Sequence, residues 1–220
     1  MLNIYIINYM RKLLFTLCCI VFLSINVVLC QNIEQHDYII DMKYYKAYYC
    51  EDIQTSSFVM YKMYKGGGNV SRNGMNFKQY NKLNAFEYTN SGYDRGHLVP
   101  AEDMAWSKES LLSTFYYINC IPQTPKLNRS IWRVYENEIR DISQKDSLLI
   151  ICGGCDYDDI NVGLPKNCFK IVYRLKDGKC LYSLLFENGW NNKVKTEKRL
   201  KEQISYKKAK QLYHGKNRKK

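Results

Sequence analysis

The chain has 220 residues, of which 46% are hydrophobic and 14% are aromatic, and 20 of them are tyrosines. This apolar content excludes a wholly disordered protein, and the length suits one domain after removal of a leader. The formal net charge of +12 at pH 7 creates a field that attracts polyanions from a distance. We therefore expect a basic globular domain with anionic partners.

Residues 1–30 have the pattern of a secretory signal peptide. Arg11 and Lys12 precede the apolar stretch 13–29, and Cys30 fits the small-residue position before a cleavage site. The apolar stretch approaches the roughly 20 residues that a membrane-spanning helix needs, so an uncleaved anchor is the alternative. A mitochondrial leader is disfavoured, because such leaders are amphipathic and rich in arginine and serine. We predict cleavage near Cys30 and a secreted product with no stable membrane partner.

Residues 31–220 are predicted to form a single domain with a basic C-terminal tail. They show no internal repeat and no low-complexity linker, and loss of Arg11 and Lys12 with the leader lowers the net charge from +12 to +10. The basic tail comprises Lys207, Lys208, Lys210, Lys216, Arg218, Lys219 and Lys220. A solvated, frayed tail and a contact surface for nucleic acid are both open interpretations of this charge run.

The cysteines after the leader are even in number: Cys50, Cys120, Cys152, Cys155, Cys168 and Cys180. In a protein that passes through an oxidising compartment, they favour up to three structural disulfides whose pairing the sequence leaves open. The segment Cys152-Gly153-Gly154-Cys155 also has the spacing of a zinc or redox pair. However, no second pair and no suitably spaced histidines accompany it.

The first half of the domain gives few signals of secondary structure. Residues 31–54 hold tyrosines and mixed charge without a clear period. Residues 57–65 alternate as a strand does, and the glycine triplet 66–68 with Asn69 predicts a turn after it. A phosphate-binding P-loop is the alternative for the triplet, but the required lysine followed by serine or threonine does not come after it.

Residues 115–121 predict a second strand, and Pro122 and Pro125 predict an irregular loop after it. A helix over residues 127–140 follows, because apolar side chains recur there at helical spacing. These side chains are Ile131, Val134, Tyr135 and Ile139.

Three further strands are predicted at residues 148–152, 169–175 and 181–186, with a Lys-Asp-Gly-Lys turn at 176–179. A lysine-rich helix over residues 196–212 is predicted near the end of the chain. Strands joined by short turns, together with these helices, predict a mixed α+β fold with an antiparallel sheet.

The segment Asp94-Arg95-Gly96-His97 carries the clearest chemical signal. Histidine titrates near neutral pH and can take a proton from water, while arginine stays charged and offers donors that match phosphate oxygens. A base and a cation this close together suit phosphodiester hydrolysis.

Asn128 and Glu136 are separated on the predicted helix by roughly 80° of rotation, so both side chains can face one cleft. Asn128 offers the hard oxygen ligand that Mg²⁺ accepts, and this ion keeps several waters, one of which Glu136 could hold. The structural alternatives are an N-cap role for Asn128 and an ordinary exposed carboxylate for Glu136.

Together and in this order, these segments resemble the DNA/RNA non-specific endonucleases, the family of Serratia nuclease and endonuclease G. The matching segments are Asp94-Arg95-Gly96-His97, residues 115–123, residues 127–132 and Glu136, within residues 58–186. The resemblance implies a ββα-metal finger on a mixed, largely antiparallel sheet flanked by helices. In such a finger a strand pair carries the histidine, and the following helix carries the metal ligand.

The resemblance also implies a role for each of three central residues. His97 corresponds to the general base and Asn128 to the protein ligand of magnesium. Glu136 corresponds to the carboxylate that positions a metal-bound water.

Other residues match the family's supporting positions. Arg95 and Arg140 correspond to arginines near the phosphate, and Arg72 to an arginine expected upstream. Asn119 matches an asparagine beside the histidine, and Asp94 is expected to orient Arg95. For Asn119 and Asp94, a supporting hydrogen bond and direct catalysis both stay open.

The sequence therefore predicts a secreted, Mg²⁺-dependent endonuclease that hydrolyses DNA and RNA. Contacts confined to the phosphate backbone predict low sequence preference and binding that weakens with salt. Mn²⁺ is the alternative metal, and a homodimer is the assembly that the resemblance implies. The alternative function is a catalytically silent nucleic-acid-binding protein of the same fold. A membrane-anchored interaction protein with an accidental nuclease motif is the third hypothesis.

Overall fold

The computed structural model describes residues 36–157, 163–191 and 193–215. Its strands are β1 (Tyr38–Asp41), β2 (Tyr45–Cys50), β3 (Thr55–Met63), β4 (Asp94–His97), β5 (Cys120–Gln123), β6 (Leu148–Tyr157), β7 (Pro165–Arg174), β8 (Cys180–Glu187) and β9 (Val194–Thr196). Its helices are α1 (Lys108–Ser113), α2 (Pro125–Leu127), α3 (Arg133–Ser143), α4 (Lys198–Gln203) and α5 (Tyr206–His214). A π-helical turn at Asn128–Trp132 joins α2 to α3. We call the continuous run 125–143 the site helix.

Within the described residues, seven strands form one antiparallel sheet in the order β1-β2-β3-β6-β7-β8-β9. The central strands β6 and β7 are apolar along most of their length, because both faces of the sheet are covered. The predicted α+β fold with an antiparallel sheet is confirmed.

The glycine triplet ends β3, as predicted. Gly67 and Gly68 have φ values of +122° and +136°, which lie in the region that favours glycine. A Cβ atom at Gly68 would also overlap the carbonyl of Ala105. The triplet is therefore a close-packed turn.

The second, smaller sheet is the antiparallel pair β4–β5, in which His97 lies opposite Cys120. This pair corrects the prediction for residues 115–121, which form a 3₁₀ turn at Tyr117–Asn119 before β5 begins. Pro122 lies inside β5 and not in a loop. It is tolerated because β5 is an edge strand of a two-stranded pair.

The site helix begins before and ends after the predicted residues 127–140. Its π-helical turn adds a residue to the local repeat and rotates the following side chains away from the predicted positions. Val134, predicted to face the core, is therefore 47% exposed, whereas Trp132 is buried.

Helices cover both faces of the large sheet. The site helix and the β4–β5 pair pack on one face, where the Tyr61 hydroxyl donates to Asp103. Helices α4 and α5 pack on the other, where Lys62 lies 4.6 Å from the centroid of the Tyr213 ring. The predicted helix 196–212 is instead strand β9 followed by α4 and α5. The described part of the basic tail thus lies on the face opposite the β4–β5 pair.

Most of the six cysteines carry free thiols, contrary to the prediction. Cys155 is disulfide-bonded, whereas five of the six carry free thiols, namely Cys50, Cys120, Cys152, Cys168 and Cys180. The prediction of up to three disulfides among the six is therefore wrong. Cys152 and Cys155 are three positions apart on strand β6, so their side chains point to opposite faces of the sheet.

In residues 36–157, 163–191 and 193–215, no helix combines the length and the apolar character needed to cross a membrane. The predicted signal peptide, residues 1–30, lies outside the described residues. The last basic residues, 216–220, also lie outside them.

Candidate active site

An open cleft of about 530 Å³ lies between the β4–β5 pair, the site helix and the loop around residue 72. It brings together five of the predicted site residues, namely Arg72, Arg95, His97, Asn128 and Glu136. Its walls also include Glu102, Arg129 and Arg133, which the sequence did not single out.

His97 stands at the end of β4 with its ring packed against two aromatic side chains. The ring centroid lies 4.9 Å from that of Phe77 and 5.2 Å from that of Phe115. Burial in this apolar contact, together with the charge of nearby Arg72, lowers the pKa of His97 to about 4. Its Nε2 atom is buried and has no hydrogen-bond partner among the described residues. His97 is therefore neutral at pH 7 and able to accept a proton.

Asn119 holds the backbone next to this histidine through hydrogen bonds. It is fully buried, its Oδ1 accepts the Val99 amide at 2.9 Å, and its Nδ2 donates to the carbonyls of Val99 and Thr114. These bonds fix the backbone directly after His97. Asn119 does not line the cleft, so the structure supports the hydrogen-bonding role for this residue.

Gly96 has a steric reason to be glycine. A Cβ atom there would overlap the side chain of Gln123 on the neighbouring strand β5. The absence of a side chain at Gly96 lets the two strands approach, and Arg95 and His97 project together from the other face of β4.

Asn128 lies in the π-helical turn, and its Nδ2 donates to Asp94 Oδ2 at 2.9 Å. A carboxylate accepts only from the nitrogen of an amide, so the amide oxygen remains as the group that Asn128 offers to the cleft. Asp94 also accepts two hydrogen bonds from Arg129, from Nε to Oδ2 at 2.8 Å and from Nη2 to Oδ1 at 2.6 Å. Burial raises the pKa of Asp94, but the bonds from Arg129 and Asn128 outweigh this effect and lower it. Asp94 therefore anchors the start of the site helix.

The prediction that Asp94 orients Arg95 is wrong. The Arg95 guanidinium stacks on aromatic rings and lies 5.2 Å from the centroid of Tyr88 and 5.9 Å from that of Tyr117. Arg95 also lines the cleft, so this cation–π contact holds its positive charge at the cleft wall.

Arg133 adds a further exposed cation to the cleft. It follows Arg129 by one helical turn, and this spacing puts both on one face of the site helix. The position of Arg133 could have been predicted from the sequence, since Arg129 and Arg133 form an i, i+4 pair directly after Asn128.

Glu136 lies deeper in the cleft, with 13% of its side chain exposed. Burial raises the pKa of Glu136 to about 7, although the ammonium of Lys170 opposes this effect. The carboxyl thus changes charge near neutral pH.

Arg140 does not reach the cleft, contrary to its predicted position near the phosphate. Its Nε donates to Asp103 at 2.8 Å, and its Nη1 lies 3.3 Å from Glu102. Asp103 is almost completely buried. The arginine is therefore engaged in an ion-pair network with the 3₁₀ turn Glu102–Met104.

The donor set fits a hydrated magnesium ion better than a protein-enclosed metal. No cluster of three or more histidine, cysteine, aspartate or glutamate side chains that could hold a metal occurs in the described part of the chain. The Asn128 amide oxygen is a hard ligand at the cleft wall, and Glu136 offers a carboxylate nearby. Mg²⁺ commonly takes one or two protein oxygens and keeps its remaining waters.

Sequence comparison with known proteins agrees with this geometry. The DNA/RNA non-specific endonuclease family pattern matches residues 31–210. Human mitochondrial endonuclease G is 35% identical over 75 residues, covering 34% of this chain and 25% of the relative. A Nostoc sp. nuclease is 39% identical over 90 residues, covering 39% of this chain and 33% of the relative. The mitochondrial nuclease of Saccharomyces cerevisiae is 39% identical over 95 residues, covering 40% of this chain and 27% of the relative.

The chain thus aligns with about a quarter to a third of the length of each of these relatives. Among solved structures, an EndoG/EndoGI complex matches with a TM-score of 0.60 at 20% identity, over 70% of this chain and 76% of that chain. This likeness concerns the fold, and it agrees with a strand pair followed by a helix on an antiparallel sheet. Because the family pattern covers most of its length, the chain belongs to the DNA/RNA non-specific endonuclease family.

Proposed function

We propose that this protein is a secreted, Mg²⁺-dependent endonuclease that hydrolyses phosphodiester bonds of DNA and RNA. One observation carries the proposal: His97, Asn128, Glu136 and several arginines, which come from separate segments, line a single open cleft. A base, an oxygen ligand and cations are the groups that phosphodiester hydrolysis needs.

In the proposed mechanism, the imidazole of His97 takes a proton from the water that attacks phosphorus. The imidazole is neutral before substrate binds, because its pKa is lowered to about 4. An anionic phosphodiester in the cleft raises this pKa, since a nearby negative charge favours the imidazolium. Substrate thus strengthens the base that acts on it.

Asn128 would hold the metal through its amide oxygen, and Asp94 fixes the orientation of that amide. When bound there, Mg²⁺, or Mn²⁺ as the alternative, supplies positive charge that stabilises the phosphate and the leaving oxygen. Glu136, in its ionised form, accepts hydrogen bonds from water in the cleft and so orients it.

Arg72, Arg95 and Arg133 bind phosphate oxygens and stabilise the charge that develops in the transition state. Arg129 contributes less, because Asp94 already engages it. Phosphate contacts carry no sequence information directly, so cleavage shows low sequence preference and falls with rising salt.

The activity test incubates the mature protein with plasmid DNA and with RNA, in Mg²⁺ or in chelator. Asn128→Ala is expected to lower the cleavage rate by about 100- to 1,000-fold and to raise the Mg²⁺ concentration needed, because it removes the oxygen ligand. Asn137→Ala is the matched control, since Asn137 is an exposed amide on the same helix that does not line the cleft. Wild-type protein that binds nucleic acid but cleaves neither substrate in Mg²⁺ or Mn²⁺ would support the silent binding protein instead.

The pH dependence of kcat/KM should follow Glu136. We expect the rate to rise with pH through about 7, because the Glu136 carboxyl has a pKa of about 7 and must be ionised to orient water. Higher Mg²⁺ should move this rise to lower pH, since a cation in the cleft favours the carboxylate. Rate profiles at several Mg²⁺ concentrations test this. A rise at the usual histidine pKa that ignores Mg²⁺ would contradict it.

We further propose that residues 1–30 are a cleaved signal peptide and that residues 31–220 form one nuclease domain with a basic tail. The basic residues followed by an apolar stretch in residues 1–30 support a cleaved signal peptide. Several relatives are named mitochondrial, so N-terminal sequencing should be combined with cell fractionation. Recovery of the protein in mitochondria would overturn the secreted localisation. The homodimer stays a prediction, which light scattering of the purified protein would test.

A further inference from the structure

A lysine is buried under the cleft in the middle of the large sheet. Lys170 lies on β7, and only 1% of its side chain is exposed. Its neighbours on the same face of the strand are Cys168 and Val172, both fully buried. A buried ammonium loses its hydration, so a lysine at this position needs compensating contacts.

Two residues of the site helix provide these contacts. Lys170 Nζ lies 3.7 Å from the centroid of the Trp132 ring and 3.8 Å from Glu136 Oε1. Within the described chain, Glu136 is the one carboxylate in ion-pair range of this ammonium. Trp132 and Glu136 are four positions apart, so both project from one face of the helix toward the lysine.

We infer that Lys170 is a positioning residue, which holds the Glu136 carboxylate in place from beneath the cleft while Trp132 fixes the ammonium. The inference rests on the proposed function, because it assigns Lys170 a part in catalysis through Glu136. Lys170 does not line the cleft, so it acts without touching substrate.

The charges around Glu136 explain why such a contact is needed. Asp103 and Glu102 both disfavour a negative charge on Glu136, and burial disfavours it further. Arg140 favours that charge but is already bound to Asp103 and Glu102. Lys170 is therefore the cation available to hold Glu136, and its loss would leave the carboxyl without the contact that fixes its orientation.

A double-mutant cycle tests the inference with Lys170→Met, Glu136→Gln and the pair combined. Lys170→Met should lower kcat/KM by about 10- to 100-fold, the range for residues that support a metal-site group. The same substitution should have little further effect in the Glu136→Gln background, because the carboxylate through which Lys170 acts is already absent. Losses that multiply in the double variant would overturn the inference.

Thermal unfolding of the same proteins gives a readout that needs no cleavage. Glu136→Gln should lower the unfolding midpoint, because it leaves the buried ammonium without its carboxylate. Adding Lys170→Met should raise the midpoint again. Independent, additive shifts would contradict a coupled pair, whereas failure of the wild-type protein to cleave would contradict only the proposed nuclease activity.

Two further variants separate positioning from a general packing role. Lys166→Met removes an exposed lysine from the same strand and should leave the rate and the midpoint unchanged. Lys170→Arg keeps the positive charge and should retain more activity than Lys170→Met. Equal losses in Lys170→Arg and Lys170→Met would mean that the side chain matters for its shape alone, and would overturn the inference.

Discussion

His97→Ala is expected to lower cleavage of plasmid DNA and of RNA by about 100- to 10,000-fold, the usual contribution of a general base. The reason is geometric, because His97 lines the cleft that also holds Asn128 and Glu136. Initial rates with and without Mg²⁺, together with the circular dichroism spectrum of the folded variant, measure the effect.

His214→Ala is the matched control, since His214 is an exposed histidine at the end of α5. Added imidazole should partly restore the His97→Ala variant, because removal of the ring leaves a space beside Phe77 and Phe115. Full cleavage by His97→Ala would refute the general-base role. A folded variant that is inactive and regains nothing with imidazole would assign His97 a role other than proton transfer.

Short-range geometry explains why four of the predicted site residues line one cleft. Arg95 and His97 are two positions apart on one strand, so their side chains share a face, and both line the cleft. Asn128 and Glu136 are on the one helix that follows, as the pattern of the segment predicted. The family resemblance assigned these residues to one site, and the periods of strand and helix are compatible with that assignment.

The errors concern contacts that the local pattern does not determine. Asp94 and Arg95 are neighbours on a strand, so they face opposite sides and cannot pair, and Asp94 instead binds Arg129. Arg140 was expected at the phosphate, but its partner Asp103 comes from a 3₁₀ turn that has no periodic signal. Pairings between distant segments depend on the complete fold.

The strands β1 and β2 were missed because the region around them has no clear alternation of apolar and polar residues. Tyr48 and Tyr49 are adjacent on β2 and both are buried, since helices or loops cover both faces of the sheet. The cysteine prediction failed for another reason. An even count says nothing about the distance and orientation that a disulfide requires, and five of these cysteines carry free thiols.

Asp103→Ala is expected to lower the free energy of unfolding by about 3 to 5 kcal/mol, the range for breaking a buried ion pair. The substitution leaves the Arg140 guanidinium without its buried carboxylate and the Tyr61 hydroxyl without its acceptor. Denaturant titration measures the loss. Glu109→Ala is the control, since it breaks an ion pair with Lys43 in which both side chains are 65% exposed and should leave the unfolding midpoint unchanged.

Variants of the Asp103–Arg140 ion pair also test whether Arg140 contacts substrate. A phosphate contact contributes about one unit to the slope of log affinity against log salt. Arg133→Ala should therefore reduce that slope by about one, because Arg133 lines the cleft, whereas Arg140→Met should lower stability and leave the slope unchanged. The double variant Asp103→Ala with Arg140→Met should recover part of the stability lost in Asp103→Ala, since it removes the unpaired charge. A reduced slope in Arg140→Met would place Arg140 on the phosphate and make its bond to Asp103 a property of the free enzyme alone.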